Sequence, residues 1–169
     1  MSHLPPPDLV PGTVRLARLL AGVGKRKKAD RLLENAWVQQ PHPDLAETYA
    51  AVVPDLSEED RARRLETLAA INPSTRESRL LAAEQALTLR RWAEAREALM
   101  VLVTNHEATR RTYDLLAELE RREKGDQRRA AEWQEKAMTG EAEARWFCHV
   151  CGHSPKAWSP HCPSCHSFV

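Results

Sequence analysis

The chain has 169 residues, 25 lysines and arginines against 24 aspartates and glutamates, and an aromatic content of only 5%. That length holds one ordinary domain or a larger and a very small one, and charge that is abundant but balanced in sign gives no global field for nucleic acid or lipid. No run of 18 apolar residues exists, and the stretch from Met1 to Pro11 lacks the basic start and apolar core of a signal peptide. The opening "MSHLPPPDLVPG" leads straight into helical sequence, as in a piece of something longer.

Ala, Leu, Glu and Arg dominate from Val14 to Ala144, so this region is expected to be almost all helical. Caps and breakers predict helices over 13–22, 27–39, 45–53, 58–70, 77–89, 92–104, 108–122 and 127–138. Ser57 with Asp60 and Ser74 with Glu77 read as N-terminal caps, and Gly125 and Gly140 as stops. "LARLLAGVGKRKKADRLLENAW" and "LLAAEQALTLRRWAEAREALMVL" share a layout in which a small residue is followed twelve positions later by another. The pairs are Ala17 with Ala29, Ala50 with Ala62, and Ala83 with Ala95. The first members, continued by Ala117, step by 33, 33 and 34, close to the tetratricopeptide period of about 34. In the fourth pair Arg129 stands where alanine is due, so Ala130 or Ala131 serves. Pro41 and Pro73 fall at repeat ends. An irregular set of helical hairpins is the plainer alternative.

Stacked helix pairs make a concave face that holds segments of other proteins. "RARR" at Arg61 to Arg64 and "RREKGDQRR" from Arg121 read as solvated faces, with an acidic docking surface as the alternative. Tyr49, Tyr113, Trp37, Trp92 and Trp133 read as packing residues, and His42 and His106 as surface or capping residues. No GxGxxG, P-loop, GxSxG or HExxH is present, so no catalytic residue is assigned and the expectation is a protein that is not an enzyme.

Every cysteine lies in the closing segment. Cys148 with Cys151 and Cys162 with Cys165 form two CxxC pairs ten residues apart. Two such turns aim four sulfurs at one point, the construction of a four-thiolate zinc or iron site. Alternatives are two disulfides, a histidine ligand from among His149, His153, His161 and His166, or a haem-responsive reading of Cys162-Pro163. Gly152 fits a left-handed knuckle turn, Pro163 stiffens the second turn, and Trp146, Trp158 and Phe168 are expected to wrap the unit. A segment of this size cannot fold on its own core, so metal binding would supply its folding energy. Between Trp146 and Val169 only Lys156 is basic, which leaves the segment poorly equipped for nucleic acid.

The expected architecture is all-α: a tetratricopeptide-like α-solenoid over residues 12–140 and a rubredoxin-like metal ribbon over residues 145–169. "WFCHVCGHSPKAWSPHCPSCHSF" resembles the WVCxxCGxxxxxWSPxCPxCxxFDSL ending of the bacterial HemY family, and "LLENAWVQQPHPDLAETYAAVVP" resembles that family's AW...PHPxLAxxYA stretch. The layout also resembles the LapB family. The HemY resemblance implies a cytoplasmic region held to the inner membrane by an anchor missing from this chain, working with haem-pathway enzymes. The LapB resemblance implies an adaptor that delivers a membrane-associated enzyme to a protease. An iron-bearing redox or sensing module is the third expectation. His166 stands where the HemY family carries glycine, and the chain stops at Val169, short of the family's DSL-like ending.

Overall fold

The computed structural model describes residues 10–142, 146–155 and 159–168; the "MSHLPPPDL" opening, Lys156, Trp158 and Val169 lie outside them. Eight helices and no strand occur among the described residues: α1 (Val10–Gly22), α2 (Arg26–Gln39), α3 (Pro43–Ala51), α4 (Glu58–Ala69), α5 (Arg76–Thr88), α6 (Trp92–Thr104), α7 (Arg110–Lys124) and α8 (Gln127–Thr139). Each overlaps its predicted counterpart, with ends moved by at most three residues. None is long and apolar enough to cross a membrane.

The first, third and fourth pairs pack as the alanine register predicts, whereas α3 touches α4 only lightly and α4 packs more on α5. Ala17, Ala50, Ala83 and Ala117 on the first helix of each pair are buried, as are Ala29, Ala62 and Ala95 on the second. In the fourth pair Ala130 takes the small-residue position and Ala131 faces solvent. Methyl side chains at these crossings let two helix backbones approach closely, so the small residues fix where each pair crosses. The result is an all-helical repeat in which α1 packs on α2, α5 on α6 and α7 on α8, while α4 on α5 joins the second pair to the third.

One apolar cluster draws on α1 to α4 and reaches Leu81 of α5. A second is built from α5, α6 and α7, with Trp92 and Trp133 packed at its edge. Trp37 is fully buried and its Nε1 donates to Ser78 Oγ at 3.0 Å, tying α2 to α5. Tyr49 is buried too, whereas Tyr113 is half-buried and stacks on Trp133 with centroids 6.1 Å apart.

Two expectations are corrected. The cap of α5 is Thr75, whose hydroxyl accepts from the Ser78 N–H at 3.3 Å, not Ser74 with Glu77. In "RARR", Arg61 and Arg63 are solvated, but Arg64 turns inward, pairs with Asp30 and lies 3.8 Å over the Tyr49 ring. Arg64 is one of several arginines that bridge helices distant in sequence. Arg96 holds Glu120 at 2.6 Å, and Arg111 holds Glu77 at 2.9 Å and Glu84 at 2.7 Å. The Arg96 guanidinium keeps the Glu120 carboxyl below its ordinary range. Much of the balanced charge is thus spent within the scaffold. The Ser57 cap of α4 stands as read, accepting from the Asp60 N–H at 3.0 Å.

Candidate metal centre

The two CxxC turns have the same backbone. In the first, the Gly152 N–H donates to Cys148 O at 2.8 Å, and the Cys148 N–H donates to His153 O at 2.8 Å. In the second, the His166 N–H donates to Cys162 O and the Cys162 N–H to Ser167 O, both at 2.9 Å. Closing each turn needs a left-handed residue directly after the second cysteine: Gly152 has φ 71° and His166 has φ 59°. An L side chain in that conformation costs about 1–2 kcal/mol. His166→Gly is therefore expected to tighten metal retention by up to about fivefold, the equivalent of about 1 kcal/mol, in a chelator competition. Retention unchanged or weaker would show that the histidine is not strained.

The four sulfurs all lie within 4.8 Å of one another, with Cys148 to Cys165 and Cys151 to Cys162 each at 3.7 Å. Tetrahedral zinc with sulfur at about 2.3 Å requires sulfurs about 3.8 Å apart, whereas a disulfide requires about 2.05 Å. All four cysteines are free. The donor set fits a metal, and with four thiolates it leaves no position for a catalytic water. Among the described residues the cluster is made by the cysteines; His149, His153, His161 and His166 are exposed, and His161 instead packs edge-on against Phe168.

Sequence reasoning missed Ser167. Its hydroxyl lies 2.9 Å from Cys165 Sγ and 3.4 Å from Cys148 Sγ. With the backbone N–H groups of Cys151 and Val150 it holds the Cys148 thiol down at about 5, and it also lowers Cys165. The Cys151 thiol has the lowering pull of the His153 backbone, yet neighbouring sulfurs and desolvation push it up to about 11. Crowded sulfurs resist ionising together without a cation, which is the electrostatic case for a metal among them.

The expected wrap holds only in part. Cys148 and Cys162 are buried and Trp146 is partly buried, but Phe168 is 72% exposed. Trp146 lines a small crevice with Cys148 and Cys162 and also packs on the helical body. Its Nε1 donates to Asp44 Oδ2 at 3.3 Å, and its ring centroid lies 5.6 Å from that of His42. Up to Glu141 the chain runs past the starts of α7 and α5: the Arg110 N–H donates to Glu141 O at 2.9 Å, and Arg76 pairs with Glu141 at 3.7 Å. Gly140 permits this path, since a Cβ there would sit 3.1 Å from Arg110 N.

His42 is a capping residue, as read: its Nδ1 accepts from the Asp44 N–H at 3.1 Å at the start of α3. Burial lowers its pKa from 6.5, against the opposing pull of Asp44. The unfolded chain therefore takes up this proton first as pH falls. The stability His42 contributes is complete above about pH 6.5 and is lost as pH falls toward its lowered folded value. A ring-proton titration of His42 should show a midpoint below 6.5, and His42→Asn should flatten the acid loss of stability. A midpoint at or above the free value would contradict the packing.

These features define the class: an all-helical repeat scaffold with a four-cysteine candidate metal centre at its end. No protein-family model matches the chain, and no solved structure matches it. The chain is 30% identical over 160 residues to the probable magnetosome protein Mms48 of Magnetospirillum gryphiswaldense, an alignment covering 92% of this chain and 35% of that protein. The chain thus spans about a third of that relative's length.

Proposed function

We propose that the chain is a non-catalytic adaptor: a tetratricopeptide-like solenoid over residues 12–140 that grips partner proteins on its concave face, carrying a rubredoxin-like zinc ribbon over residues 145–169. The observation that carries this reading is the cluster of four cysteine sulfurs beside a helical repeat, because a metal held by all four would stabilise structure and leave no position open to substrate. The HemY resemblance makes the partners haem-pathway enzymes on the cytoplasmic face of a bacterial inner membrane. The test is porphyrin synthesis by reconstituted haem-pathway enzymes, followed by fluorescence with and without the chain. A changed rate or product distribution is expected; no effect on enzymes or intermediates overturns the haem assignment. Capture of a protease together with a lipid-synthesis enzyme would replace it with the LapB-type role. The similarity to Mms48 favours a second reading, an adaptor working at a magnetosome.

A further inference from the structure

The repeat register exposes a difference between two crevices that would otherwise be alike. Over α3, between α2 and α4, the crevice is filled from within. Tyr49 occupies it, its hydroxyl donates to Glu34 at 2.9 Å, and the Arg64 guanidinium lies over the ring while pairing with Asp30. A step of 33 residues carries Tyr49 to Ala82, Arg64 to Glu97 and Asp30 to Arg63. The next step along the first helices reaches Leu116, which is again large and fully buried. The third pair alone thus carries a methyl group where the second and fourth carry a ring or a branched chain.

The consequence is an open notch over α5, between α4 and α6, of about 370 Å³. That volume is at the lower end of those that hold small organic ligands. Its floor is small and apolar, from Ala69, Ala82, Ala86 and Ala98; its charged lining is Glu66, Glu94 and Glu97 together with the half-buried Arg79, whose Nε donates to Ser74 O at 3.4 Å. Arg63, one step on from Asp30, turns away to Glu59. Glu94 shares Arg91 with Glu66, whereas Glu97 is exposed and has no ion pair among the described residues.

We infer that this notch receives an aromatic ring with an adjacent guanidinium, supplied by a segment of a partner protein in place of the Tyr49 and Arg64 that fill the preceding crevice. The alanine floor matches the flat face of a ring. The unpaired Glu97 carboxylate matches a guanidinium, and the two groups stack on each other as Arg64 and Tyr49 do here. This inference rests on the adaptor reading in that the occupant comes from another protein.

The test is a titration of the nitrogen-15-labelled chain with N-acetyl-tyrosyl-arginine amide, read at the backbone amides of Ala82, Ala86 and Ala98. Saturable shifts are expected there. Glu97→Gln should weaken the probe about tenfold, the loss of one charge-assisted contact. Ala82→Tyr, which refills the notch from within, should abolish the shifts. N-acetyl-tyrosyl-glutamate amide should bind less well than the arginine probe. Absence of saturation with millimolar probe overturns the inference, as does binding that Glu97→Gln leaves unchanged. Glu97→Gln alters only an exposed side chain and decides the matter even if Ala82→Tyr does not fold. Partner capture separates this inference from the broader reading. If Ala82→Tyr captures partners at wild-type yield, the notch is wrong and the adaptor stands; if the probe binds but no partner is captured by either chain, the adaptor reading fails.

Discussion

Cys148→Ser or Cys165→Ser is expected to release the metal and unfold the segment from Trp146 to Phe168 while leaving α1 to α8 helical. Among its described residues the closing segment offers little else to hold it: one bridge joins His161 and Phe168, and Phe147, Val150 and Phe168 are all exposed. Coordination by the four cysteines would supply its folding energy, as structural zinc sites do at about 10–16 kcal/mol. The helices have their own two cores, and among the described residues Trp146 ties the closing segment to them through His42 and Asp44. The checks are metal content, amide spectra of the closing segment, and circular dichroism. Loss of metal with helicity retained is the expected outcome. Global unfolding of either variant would mean that the ribbon holds the repeats together and that the two-unit description is wrong.

The second large effect is expected at Trp37. This side chain is fully buried in the first cluster, and its Nε1 reaches across to Ser78 on α5. Trp37→Ala leaves a cavity where neighbouring leucines cannot fully collapse, and should cost about 3–5 kcal/mol in chemical denaturation. Ser78→Ala probes the polar part: it removes the acceptor of the Trp37 N–H and, with it, a partner of the Thr75 hydroxyl, a loss of about 1–3 kcal/mol. A Trp37→Ala cost below about 1 kcal/mol would show that the first two pairs do not depend on this contact.

The parts of this structure visible in the sequence are those set by local spacing. Alanines at a step of 33 or 34 marked the crossings of the first three pairs, because close approach tolerates little more than a methyl group; the fourth pair, with Arg129 in register, was marked less clearly. The grouping of the four candidate ligands was equally plain, since a CxxC turn carries its geometry within a few residues. The second turn's left-handed residue, His166, could be read by register with Gly152 even though its type argues against it. Long-range contacts were not visible. Which arginine of "RARR" turns inward depends on Asp30 and Tyr49, 34 and 15 residues away, and nothing in a charged string selects it. Ser74 and Thr75 are both good caps, and Ser78, which donates its N–H to Thr75, is also held by Trp37 from 41 residues away. The contact between Trp146 and Asp44 spans 102 residues and has no local signature. Phe168 was read as wrap because it is aromatic, but its partner is the His161 ring at the surface.

Elemental analysis of the purified chain together with its visible spectrum tests the central claim most directly. One zinc per chain and no colour is the predicted result, and it makes partner binding the function to pursue. A red, reducible, iron-loaded chain would keep the four-thiolate site but contradict the zinc assignment and move redox or iron sensing to the front. A chain purified without metal, with Cys148, Cys151, Cys162 and Cys165 all reactive as free thiols or joined as disulfides, would contradict the metal centre itself.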